Sequence, residues 1–243
     1  MPSGAGLEIT MGSIKNRLKI LIEQTYIPLK LLQEIKFELQ FLSVRWNNRL
    51  NPIMLFKKRR LRRFKDFKLH FGCGHKVMRG WVNIDGFFTP GIDYVTDLRT
   101  PLPFSDNSAD FIFTEHVLEH LDFRKNVPSV LKEFHRVLKP GGRVRIIVPD
   151  LEKYCDAYMR KDPKWLHDTH SDYSERAEII NDVFSGHFHR FIYDYWTLSN
   201  RLLKAGFRDI VKSPYGQSEF PGIGIDSDEL SRATVSFCVE ATK

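Results

Sequence analysis

Two stretches concentrate the side chains able to move protons or hold a metal. HVLEH, residues 116–120, sets His116 and His120 four apart with Glu119 beside the second. On a helix, H-x-x-E-H is a zinc peptidase pattern in which both imidazoles bind one metal and the carboxylate activates water. The second stretch, SGHFHRFIYDYWTLSNRLLKAGF (185–207), alternates His187 and His189 with Phe188 and then adds Arg190 and Tyr193. Imidazole acts as a base near neutral pH, while Arg and Tyr hold polar or anionic groups. No carboxylate stands near His187-x-His189 in sequence, so no metal site is expected. His120, and Asp150 in VPDLEKY, are further candidates for proton transfer, with helix packing and helix capping as their structural alternatives.

The elements around these residues decide between the readings. After Asp66 short apolar runs alternate with helical segments: KLHFG, WVNID, IDYVT, DFIFT, a helix over about Val127–Leu138, then RVRIIVP. A later helix, about Tyr195–Ala205, stops at Gly206 and leads to FRDIVK, and ATVSFCVEA reads as the last strand. Strands interleaved with helices imply parallel βαβ units in a doubly wound α/β sheet. HVLEH follows a strand end in this frame and begins a helix at a cofactor cleft. A zinc peptidase would need a further downstream ligand and a different surrounding fold.

FGCG (71–74) ends the first strand, where glycines let the backbone turn tightly and approach a ligand. WVNID ends the second strand in Asp85, a carboxylate placed for two ribose hydroxyls. Asp97 and Leu98 follow the third strand, the carboxylate suited to an adenine amino group and the Leu to the ring. A nicotinamide enzyme would also use a glycine turn and a ribose acid, but Val77 stands where the third glycine of G-x-G-x-x-G belongs.

With LHFGCG, GWVNID, LPFSDNSADFIFTEHVLEHL and LKEFHRVLKPGGRVRIIVPD in order, the chain resembles the class I S-adenosylmethionine (AdoMet)-dependent methyltransferases over about residues 68–212 and the final strand. The resemblance implies a Rossmann-like seven-stranded sheet, six strands parallel and the last antiparallel, with AdoMet at the carboxyl ends of strands one to four. By position it implies that Gly72, Cys73 and Gly74 pass along the methionine part, that Asp85 holds the ribose and that Asp97 and Leu98 hold the adenine. Glu115 and His116 would flank the cofactor after strand four. His70 stands where many members carry an acid. The implied activity is methyl transfer to a hydroxyl of a small molecule or glycan, with His187, His189, Asp150 and His120 as candidate catalytic groups. The alternative is a non-catalytic adaptor with a methyltransferase-like domain.

Residues 1–66 read as a helical, basic extension to a domain at 67–243. Leu18, Leu21, Leu29, Leu32, Ile35, Leu39, Leu42 and Trp46 recur at helical steps, and Pro28 divides them into two helices. This stripe suits packing on its own domain, a homodimer contact or a membrane surface. KKRRLRRFKDFK (57–68) holds eight Lys or Arg and one Asp, so it alone accounts for the net charge of +7. Such a patch meets anionic lipid or phosphate. Nucleic acid is disfavoured, since the chain lacks N/D-P-P-Y/F for flipped bases and a second basic module. Three scattered cysteines offer no disulfide framework, and no stretch approaches the ~18 apolar residues of a membrane span. A cytoplasmic protein, with peripheral membrane contact allowed, is expected.

Overall fold

The computed structural model describes residues 28–161, 175–218, 226 and 230–243. Seven strands form one sheet: β1 (Phe67–Phe71), β2 (Val82–Asp85), β3 (Tyr94–Val95), β4 (Ala109–Glu115), β5 (Leu138–Pro149), β6 (Arg208–Ser213) and β7 (Ser236–Thr242). They lie in the order β3-β2-β1-β4-β5-β7-β6, with β7 antiparallel to both β5 and β6 and the remaining pairs parallel. The order reverses between β1 and β4, which opens a crevice at their carboxyl ends, the usual ligand position in such sheets. The expected fold class is therefore the one observed.

Pattern explains the helices that cover the sheet. In α3 (Val127–Val137), Val127, Val130, Leu131, Phe134 and Val137 are buried at helical spacing, and Pro128 starts the helix. The α4 helix (Leu151–Arg160) is capped by Asp150, whose carboxylate accepts from Glu152 N. A capping box opens α5 (Arg176–Ser185), and Asp194 caps α6 (Tyr195–Ala205), which ends at Gly206 with φ +102°. A short α7 (Leu230–Val235) precedes β7. Fully buried Arg145 on β5 ties the sheet to the β6–β7 connection through Asp226, Glu240 and Ser213 Oγ.

One expectation changes, and one open choice narrows. HVLEH does not begin a long helix: only Leu118–His120 form a single 3-10 turn, because His116 takes a left-handed backbone (φ +54°), and α3 starts seven residues later. Of the three uses open to the N-terminal stripe, packing on its own domain is not the one these residues take. In α1 (Leu29–Leu50), Ile35, Leu39, Leu42 and Trp46 are exposed, whereas Phe41 and Asn48 are buried against the domain. Asn51 and Pro52 break the chain into α2 (Pro52–Leu61), where Asn51 caps Ile53 N. The helix expected before Pro28 lies outside the described residues.

Candidate active site

The glycine turn is fixed by backbone bonds before any ligand arrives. Gly72 N and Cys73 N both donate to Ile84 O, at 2.9 and 3.1 Å, which ties the end of β1 to β2. Gly72 has φ +73°, and a Cβ there would lie 2.3 Å from Val117 Cγ2, so only glycine allows β1 and the β4 turn to meet. At Gly74, φ +51°, a Cβ would project into open space at the cavity wall. Asp85 locks this arrangement: Oδ2 accepts from Gly74 N at 2.8 Å and Oδ1 from Phe87 N at 2.9 Å. Burial pushes the Cys73 thiol up to about 12, so it lines the turn as a neutral group and not as a nucleophile.

A single cavity of about 980 Å³ runs from this turn to the histidine loop, at the upper end of the ~300–1,000 Å³ typical of small-molecule sites. Gly72, Cys73, Gly74, Asp85, Asp97, Leu98, Glu115 and His116 all line it, so the structure gathers every residue expected to hold the cofactor. His120, His187 and His189 line it as well. Asp150 does not: its side chain is buried as the α4 cap, 3.5 Å from Lys212 Nζ, and the capping alternative accounts for it.

Sequence reading missed the groups that close the Asp97–Leu98 end of the cavity. α1 lies over it, with Phe41 packed so tightly on Gly86 that a Cβ there would come within 2.5 Å of the ring. Glu38 accepts from Arg99 Nη1 and Nη2 at 2.5 and 3.0 Å, and Asn48 Nδ2 donates to Val95 O. Asp97 accepts from Arg99 N, Nε and Nη2 and from Arg45 Nη1. A carboxylate offers about four lone-pair sites, so an adenine amino group reaches Asp97 only once an arginine yields. The only sequence signal was Arg99 two residues after Asp97.

The residues nonetheless fit an AdoMet-sized group. Asp85 keeps about two acceptor sites free for ribose hydroxyls. His70 lines the cavity where the family often has an acid. Burial holds its imidazole down to about 4, so it is neutral, and its Nδ1 is buried with no hydrogen-bond partner among the described residues. That nitrogen can accept from an ammonium group without adding a charge. Glu115 accepts from Tyr215 OH at 2.8 Å and sits 3.7 Å from Arg232.

At the other end, the histidine loop is docked onto the β4 turn by main-chain bonds. Arg190 N and Phe191 N both donate to Glu119 O, and Phe123 stacks on Phe191 at 3.9 Å. His120 and His189 rings come within 5.0 Å, and those of His187 and His189 within 5.7 Å. His187 Nε2 lies 3.3 Å from Asp182 Oδ2. Glu119 is fully buried; desolvation would raise its carboxyl, but contact with His116 and the charges of His116 and His120 hold it below the ordinary range. Burial pushes the His189 imidazole down.

Part of the chain is similar to known methyltransferases. A family model described as a methyltransferase domain matches residues 69–146. A demethylmenaquinone methyltransferase from Listeria welshimeri is 31% identical over 108 residues, 34% of this chain and 43% of that protein. The biotin biosynthesis bifunctional protein BioHC of Cellvibrio japonicus is 43% identical over 54 residues, 22% of this chain and 10% of that protein. The chain thus spans less than half the length of either curated relative. Among solved structures, a SAM-dependent methyltransferase from Archaeoglobus fulgidus covers 89% of this chain and all of its own, at 17% identity and a TM-score of 0.47. Residues 69–146 thus match a methyltransferase-domain family model, and the motif order and the strand order that carries them agree with those of class I AdoMet-dependent methyltransferases.

Proposed function

We propose that the protein transfers a methyl group from AdoMet to a hydroxyl of a small-molecule or glycan acceptor. The observation that carries this reading is the single cavity that joins the residues suited to the cofactor with a polar end lined by His120, Asn126, His187, His189 and Arg190. Gly72, Cys73 and Gly74 would border the methionine part, His70 its amino group, and Asp85 the ribose. Bound there, AdoMet supplies an electrophilic methyl group. The chain's task is then to aim an acceptor oxygen along the line of displacement and to remove its proton.

His187 is the group we assign to the proton. It is exposed at the cavity rim, and Asp182 beside its Nε2 can orient the ring. A panel of saccharide and phenolic acceptors, incubated with AdoMet and followed by mass spectrometry, tests the reading. The expected result is a methylated product whose formation falls about a hundredfold in His187→Ala at unchanged AdoMet affinity. Full activity in that variant would remove His187 from the mechanism. Absence of binding to either AdoMet or S-adenosylhomocysteine would favour the adaptor alternative.

α1 would act as a lid on the cofactor end. Leu39, Trp46 and Leu50 on α1 and Ile53 and Phe56 on α2 are exposed apolar residues. Lys57, Arg59, Arg60, Arg62 and Arg63 lie exposed just beyond them in sequence. Apolar groups flanked by cations suit the surface of an anionic bilayer. Among the described residues no helix is long and apolar enough to cross a membrane, so this contact would be peripheral.

A further inference from the structure

Glu119, His120 and His189 each present a ligand atom within 4.8 Å of the other two. The glutamate is the carboxylate that is missing beside His187-x-His189 in the sequence, brought there from the β4 turn. Three features show that the grouping is built and not incidental. First, Arg190 N and Phe191 N hold the histidine loop to Glu119 O, at 2.7 and 3.2 Å, so the backbone fixes the juxtaposition. Second, His189 Nδ1 lies 2.6 Å from Val183 O. A carbonyl makes that nitrogen the protonated one and leaves Nε2 as a lone-pair donor, the orientation seen for metal-binding imidazoles. Third, Glu119 is fully buried; Oε1 lies 3.1 Å from His116 Nδ1, and among the described residues Oε2 has no hydrogen-bond partner. A buried carboxylate oxygen without a partner is costly unless something positive completes it.

We propose that these three residues bind a divalent first-row transition-metal ion at the histidine end of the cavity. Two imidazoles and one carboxylate suit ions such as Zn²⁺, Co²⁺ or Fe²⁺ and not Ca²⁺, which takes oxygen ligands. With bonds of about 2.0–2.1 Å, tetrahedral ligand atoms sit about 3.4 Å apart, so side chains now within 4.8 Å need draw in by little over 1 Å. Three protein ligands leave positions open, and His120 and His189 both line the cavity, so those positions face it. An acceptor with two neighbouring oxygens, a vicinal diol or a catechol-like ring, could chelate the ion there. This use rests on the methyl-transfer reading; the binding of the ion does not.

The test is titration of tag-free, chelator-treated protein with Co²⁺, followed by calorimetry and visible absorption, with neither AdoMet nor acceptor present. One ion per chain should bind, with ligand-field bands in the visible. His189→Ala and Glu119→Gln should each weaken binding at least tenfold, while His75→Ala should not. Glu119 is buried, so thermal melts must show that its variant folds; His189→Ala keeps the test valid if it does not. No Co²⁺ binding by the wild type, or binding untouched by His189→Ala, overturns the proposal and leaves Glu119 as an ion-paired partner of His116. Calorimetry with AdoMet on the same preparation reports separately on the methyl-transfer reading, so the two can fail independently.

Discussion

Replacing Asp85 with alanine removes two functions at once. Its carboxylate accepts from Gly74 N at 2.8 Å and Phe87 N at 2.9 Å, so it anchors the last residue of the glycine turn as well as facing the cavity. Hydrogen bonds to a charged group contribute about 1.5–3 kcal/mol. Loss of the ribose contact should therefore weaken AdoMet binding by about 10- to 140-fold. Losing the turn's anchor adds a folding cost of similar size, offset in part because Gly74 is exposed and its freed N–H finds water. At about 2–4 °C per kcal/mol for a chain of this length, the melting midpoint should fall by about 3–12 °C. Asp85→Asn keeps one acceptor oxygen and should fall between. Calorimetry with S-adenosylhomocysteine and a thermal melt on each variant give both numbers. A folded Asp85→Ala protein with wild-type affinity would refute the ribose assignment, whatever its stability.

Three other outcomes follow from the same geometry. Burial holds His70 at about 4, below the 6.5 expected when unfolded, so its contribution to stability is complete above pH 6.5 and is lost as pH falls toward 4. That loss amounts to about 3 kcal/mol; urea titrations should show a smaller loss in His70→Gln than in the wild type, and equal losses would contradict it. Gly86→Ala would place a methyl 2.5 Å from the Phe41 ring and should lift α1, so hydrogen exchange over Leu29–Leu50 should speed up while β4 and β5 stay protected. Unchanged exchange in α1 would sink the lid. Changing Lys57, Lys58, Arg59 and Arg60 together to Ser should abolish flotation with anionic vesicles at low salt and leave AdoMet binding intact; a wild type that ignores such vesicles but forms dimers by light scattering would assign the exposed apolar residues of α1 and α2 to a second copy.

The sheet was readable because each strand ends in a residue with a job. Phe71-Gly72, Asp85, Asp97 and Glu115 mark four strand ends in order, and the apolar runs before them fix the register of the crevice. The docking of α1 was not readable in the same way. α1 carries two faces with apolar residues, and periodicity favoured Ile35, Leu39, Leu42 and Trp46, whereas docking is decided by Phe41 against Gly86 and by the Glu38–Arg99 and Arg45–Asp97 pairs. The two ion pairs span 52 and 61 residues, and no local pattern announces them. Glu119 was passed over for a similar reason. In sequence it is grouped only with His116 and His120, and only the bonds from Arg190 and Phe191 bring His189 to it.

The most direct test of the account is calorimetric titration of the full wild-type chain with AdoMet and with S-adenosylhomocysteine. One molecule of either should bind per chain and compete for the same cavity. A folded protein that gives no heat and no thermal stabilisation with either compound would contradict the account at its centre.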